Sequence, residues 1–138
     1  AMSNYLSHST GSPCSISQQA ALAAFGESQE PSFEMKKAFD ERRKYFYERV
    51  QNIPGVSCLM PEGAFYIFMN IKELLGKTIK GIKINNSNDF ASAFLEKGLV
   101  AVVPGSAFGA DGYVRWSYAT SMENIKEGLD RLEKFLAD

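Results

Sequence analysis

An α+β fold, with a small and mostly antiparallel sheet covered by helices, follows from three features of this sequence. Apolar residues recur at helical spacing over 32–51 and again over 121–137. Residues 113–119 instead alternate, with Val114, Trp116 and Tyr118 on one face and Tyr113, Arg115, Ser117 and Ala119 on the other. The elements come in the order helix, helix, strand, strand, helix, strand, strand, helix, which suits helices layered over a sheet rather than repeated strand-helix-strand units.

Each element has a local cause. Residues 3–13 are rich in Ser, Thr, Gly and Pro and read as an extended leading segment, with Ala1 ahead of Met2 resembling a tag remnant. This places a boundary between residues 1–13 and a folded domain of 14–138. Ser15-Ile16-Ser17-Gln18 fits a capping box for a short alanine-rich helix that stops at Gly26. Ser32 is expected to cap a long helix ended by Asn52-Ile53-Pro54-Gly55. Val56–Leu59 reads as a short strand, and Ala64–Ile71, apolar on both faces, as a central strand covered on both sides. Residues 72–86 read as a loop with an edge strand at Ile82–Ile84. A helix opens at Ser87-Asn88-Asp89 and closes at Gly98, followed by a buried strand at Leu99–Val103. Thr120-Ser121-Met122-Glu123 is a second capping box and starts the last helix.

Composition narrows the function. At 138 residues, 45% hydrophobic and 22% charged, the chain is long enough to bury a core as one domain. A net charge of −1 without a basic stripe argues against nucleic acid or anionic membrane as partner. No apolar run approaches the roughly 18–20 residues that span a bilayer. Cys14 and Cys58 lack metal or CxxC spacing and read as free thiols of a reducing, cytoplasmic compartment. His8 is the only histidine, so no zinc ligand set and no Ser-His-Asp constellation forms. Gly105-Ser106-Ala107-Phe108-Gly109 leads into a strand and lacks phosphate-loop spacing, so it reads as turn chemistry. Glu62 and Asp111 read as turn residues, and Phe65, Tyr66 and Phe68 as core.

Arg115 stands apart. It emerges from a strand whose opposite face is bulky and apolar, which suits a two-pronged grip on a carboxylate or phosphate. From spacing alone, a solvated edge arginine or a structural ion pair stay open as readings.

Three stretches add a resemblance. Val102-Val103-Pro104-Gly105-Ser106-Ala107-Phe108-Gly109 with Gly112-Tyr113-Val114-Arg115-Trp116-Ser117-Tyr118-Ala119-Thr120-Ser121 resembles the C-terminal signature of class I aminotransferases of the aspartate type. Ser7–Pro13 with Gln18–Leu22, and Pro61–Tyr66, are similar to further blocks of that family in the same order. The resemblance implies the C-terminal small domain of a fold type I enzyme that uses pyridoxal phosphate, with Arg115 binding the substrate α-carboxylate. It also implies amino acid and 2-oxo acid substrates and a homodimeric parent in which Ser9 and Thr10 reach the neighbouring subunit's site. The cofactor lysine and the remaining cofactor-binding residues would lie in a large domain upstream, so the segment alone is expected to bind no cofactor and to be inactive. The rival expectation is a free-standing, non-catalytic α+β module that binds a carboxylate ligand or a protein partner.

Overall fold

The computed structural model describes residues 1–137. They divide into two compact units, Ala1–Lys36 and Lys37 onward.

The first unit is helical. α1 is Met2–Ser9 and α2 is Ser15–Gly26, and neither buries a residue. The leading segment is thus a helix where extended chain is expected. Ser7, Ser9 and Thr10 satisfy their hydroxyls on the carbonyls of Asn4, Tyr5 and Leu6, so these polar side chains fold back on the helix rather than opposing it. Cys14, not Ser15, occupies the N-cap of α2 without a side-chain cap bond. Gln18 donates instead to the Pro13 carbonyl at 2.8 Å. α3 spans Glu30–Gln51, starting two residues before Ser32 because Pro31 is tolerated in a first turn.

In the second unit a three-stranded antiparallel sheet has the order β1 (Tyr66–Asn70), β5 (Tyr113–Ser117), β4 (Val103–Pro104). Its register pairs Phe68 with Arg115 and Ile67 with Trp116 across β1 and β5. β1 is therefore an edge strand, not the central one. Its Ile67 and Met69 are buried, whereas Tyr66, Phe68 and Asn70 are only half-buried on the outer face. The 56–59 region contributes a single bridge, Ser57 to Asn70, rather than a strand. Residues 72–86 form a 3-10 turn at Lys72–Leu74 and a hairpin, β2 (Thr78–Ile79) with β3 (Ile82–Lys83). Lys80 (φ 48°) and Gly81 (φ 80°) make the tight two-residue turn that joins them.

α4 is Ser87–Gly98, opened by Asn86, whose side chain accepts from the backbone N–H of Asn88 and Asp89. Gly98 is its last residue, not its cap. The ring of Phe94 fills the place a Cβ would take there, and Leu99 adopts the left-handed cap at φ 55°. Leu99 is exposed, so the expected buried strand shrinks to the two residues of β4. α5 is Met122–Leu136, with Ser121 as N-cap accepting from Asn124 N at 3.2 Å. Ile125, Leu129, Leu132 and Phe135 form its buried stripe.

Trp116 shows how the core closes. Phe46 of α3 and Phe94 of α4 meet it edge-on at 5.0 and 5.5 Å, and Phe94 packs on Phe135 of α5 at 5.2 Å. The inner face of the sheet is thus covered by helices, as the sequence pattern predicts. The outer face carries Tyr66, Phe68, Tyr113 and Arg115.

Candidate functional site

The outer face takes its form from β5 and the turn before it. Alternation sends Val114 and Trp116 into the core and Arg115 outward, where it is half-buried. Pro104 leads into a 3-10 turn, Gly105–Phe108, closed by Gly109 at φ 71°. The turn returns Phe108 over the sheet. The Arg115 guanidinium lies 4.8 Å from the Phe108 ring centroid and 5.4 Å from that of Tyr66. Phe68 stacks on Tyr113 at 5.0 Å and meets Phe108 edge-on at 6.2 Å, so the rings form one continuous cluster. Phe65 is exposed and Tyr66 and Phe68 face outward, so none of the three is in the core, and Tyr66 and Phe68 line the face that carries Arg115.

The donors of Arg115 bear on its three readings. Among the described residues it makes no ion pair and donates no side-chain hydrogen bond. Arg43, Arg49 and Arg131 all do, to Asp40 and the Pro61 carbonyl, to Asp130, Glu133 and Tyr45, and to Glu127 and the Leu99 carbonyl. Arg42 stacks on Phe39 and has the Glu123 carboxylate in its field. A structural ion pair is thereby excluded for Arg115 within the described residues. Its place on the central strand excludes an edge arginine.

Beside this cluster lies a cleft of about 700 Å³, bounded by Cys58, Pro61, Ala64, Tyr66, Phe68 and Tyr113 among others. Its far wall is pinned to the core. Arg43 donates to the Pro61 carbonyl at 2.7 Å and the Tyr118 hydroxyl to the Ala64 carbonyl at 3.0 Å. Ala64 sits at φ 63°, a conformation costing a non-glycine residue about 1–2 kcal/mol. Burial pushes the Cys58 thiol up to about 11, a bond from Gln51 partly offsetting it, so it is a poor nucleophile at neutral pH.

A phosphate-bearing cofactor does not fit the glycine turn. The space beside Gly105 is filled by the Ala110 carbonyl and by the Tyr113 carbonyl, 2.5 Å from where a Cβ would be. The turn's backbone is committed inward, with Ala110 N–H on the Gly105 carbonyl at 3.0 Å. Lys72 lies over the Tyr113 ring, 5.0 Å from its centroid.

Ser9 and Thr10 belong to the first unit, exposed, with their hydroxyl protons given to α1. Asp111 accepts from Ser87 N at 2.8 Å and holds the turn to α4, while Glu62 is exposed. Among the described residues no three His, Cys, Asp or Glu side chains are placed to hold a metal, and no helix is long and apolar enough to cross a membrane. Sequence reasoning missed Phe108. The signal was a lone aromatic between two glycines just ahead of a strand, which only the turn's path converts into a contact with Arg115.

Against known proteins, the model of the family "Aminotransferase class I and II" matches residues 1–132. The chain belongs to this family. It is 43% identical to the aspartate aminotransferase of Bacillus subtilis over 99% of its own length and 34% of that protein. It is 42% identical to an aspartate/prephenate aminotransferase of Nitrosomonas europaea, again over 99% of the chain and 35% of the relative. In three dimensions it matches the crystal structure of an aspartate aminotransferase from Rhizobium meliloti with a TM-score of 0.89 at 40% identity, covering 98% of the chain and 34% of that structure. The chain spans about a third of the length of the curated relatives it matches. Family membership and an α+β small-domain fold are thus established for this aminotransferase segment.

Proposed function

We propose that this chain is the C-terminal, substrate-carboxylate part of an aspartate-type aminotransferase of its relatives' length, with residues 14–138 as the small domain. The observation that carries the reading is the Arg115 guanidinium, positioned by a central strand and aromatic rings with its donors uncommitted among the described residues. A planar fork in that state binds a carboxylate through two parallel hydrogen bonds. It would orient the amino acid and, in the reverse half of a ping-pong exchange, the 2-oxo acid, because both carry the same α-carboxylate. Pyridoxal phosphate, when bound in such an enzyme, supplies the electron sink for the α-carbon. The turn at Gly105 has no room for its phosphate, and this reading assigns the lysine and the phosphate site to the rest of the protein.

The same reading makes the parent a cytoplasmic homodimer in which Ser9 and Thr10 approach the neighbouring subunit's substrate. It also makes the 138-residue segment by itself unable to bind the cofactor or to transaminate. The test is Arg115→Lys in the full-length protein, which keeps the charge and loses the fork. Loss of one partner from a desolvated charge pair costs on the order of 2–5 kcal/mol, and lysine recovers part of that. The expected result is a fall in kcat/KM of at least tenfold for aspartate and for its oxo-acid co-substrate alike. Unchanged kinetics with Lys or Ala at position 115 would refute the assignment. Stabilisation of the isolated 138-residue chain by millimolar aspartate would favour a free-standing carboxylate-binding module instead.

A further inference from the structure

We propose that Phe108 is a positioning residue for the carboxylate fork, a role that rests on the reading of Arg115 above. Phe108 is 48% exposed, and its covered side faces Arg115 and Phe68. A ring beneath a guanidinium attracts it through the face. Unlike a carboxylate partner, it neither consumes the in-plane N–H donors nor neutralises the charge. It fixes the plane of the fork and leaves both resources for a ligand.

The turn that carries Phe108 is itself fixed. Ser106 N–H donates to the Oγ of fully buried Ser87 at 3.1 Å, and Asn88 Nδ2 donates to Ser106 Oγ at 3.1 Å. Gly109 N–H closes the turn on the Ser106 carbonyl at 3.1 Å. Phe68, directly across from Arg115 in the register, holds the ring from the side. The aromatic ring therefore reports the position of α4 to the guanidinium, and a carboxylate meets a fork already oriented.

The consequence is a residue that acts on substrates only through their α-carboxylate. In the full-length enzyme Phe108→Leu should raise KM for aspartate roughly three- to thirtyfold with a smaller change in kcat, the range expected for loss of one cation–π contact. Phe108→Trp, which keeps a ring face, should stay within about threefold of the parent. β-Alanine, which is aspartate without the α-carboxylate, should be processed equally by the parent and by Phe108→Leu. In an Arg115→Ala background the Phe108→Leu change should have no further effect on aspartate. An equal loss for aspartate and β-alanine, additivity in the Arg115→Ala background, or failure of Trp to rescue would each overturn the proposal while leaving the Arg115 assignment standing. An Arg115→Ala variant with parental kinetics would instead remove the assignment itself.

Discussion

Gly105→Ala tests whether the turn beneath the site is held by backbone contact. The new Cβ would lie 2.5 Å from the Tyr113 carbonyl oxygen, at the start of the central strand, and closer still to the main-chain carbonyl of Ala110 ahead of it. Flexible side chains could yield; these cannot without displacing β5 or breaking the 3.0 Å bond from Ala110 N–H to the Gly105 carbonyl. Overpacking of this kind costs about 1–3 kcal/mol. For a chain of 138 residues each kcal/mol moves Tm by about 3–5 °C, so a fall of roughly 3–15 °C is expected. Gly63→Ala is the matched control. It has open space around it and no left-handed φ, so the lower entropy of its unfolded chain should stabilise by up to about 1 kcal/mol. The assay is thermal unfolding of the 138-residue chain followed by circular dichroism. If Gly105→Ala melts within a degree of Gly63→Ala, the reasoning from close approach is wrong.

Further outcomes follow from the ion pairs and thiols. Arg49 ties α3 to α5 through Asp130 at 2.7 Å and Glu133 at 2.9 Å, with both carboxylates about half exposed, so Arg49→Met should cost only about 1 kcal/mol and the cost should shrink in 1 M salt. The Ser87 hydroxyl and backbone hold the Asp111 carboxyl below its ordinary range. Its contribution is complete above the unfolded carboxylate value and is lost as pH falls through the lower folded value, so Asp111→Asn should flatten the acid limb of a stability-pH curve. An unchanged acid limb would show that the bond to Ser87 is not coupled to folding. Cys14 is exposed and its thiol is lowered by backbone N–H groups at the start of α2, whereas burial raises Cys58 to about 11. At pH 8 a disulfide reagent should label Cys14 well before Cys58; the reverse order would contradict the burial of Cys58.

Local chemistry is what the sequence carried well. The alternation of Val114, Trp116 and Tyr118 and the stripe from Ile125 to Phe135 each depend on one period repeated within a single element, and both are buried as read. Arg115 was legible for the same reason: strand alternation alone sets it opposite a bulky apolar face. The misreadings have one common cause. Tyr66 and Phe68 are apolar on the face opposite Ile67 and Met69, and hydrophobicity does not say whether a ring is covered by a helix or by a guanidinium. Whether β1 is central or at the edge depends on which strand pairs with β5, a contact across more than forty residues of chain. Gly98 reads as a helix cap from its neighbours, but the Phe94 ring claims the space where its Cβ would be, and the left-handed residue moves to Leu99. Phe108 is the clearest case. It is a lone aromatic between Gly105 and Gly109, and only a turn anchored on Ser87 of α4 brings it to 4.8 Å from the Arg115 guanidinium. Periodicity fixes which face a residue takes on its own element, whereas the partner opposite that face is set by contacts between distant segments, and those belong to the tertiary structure.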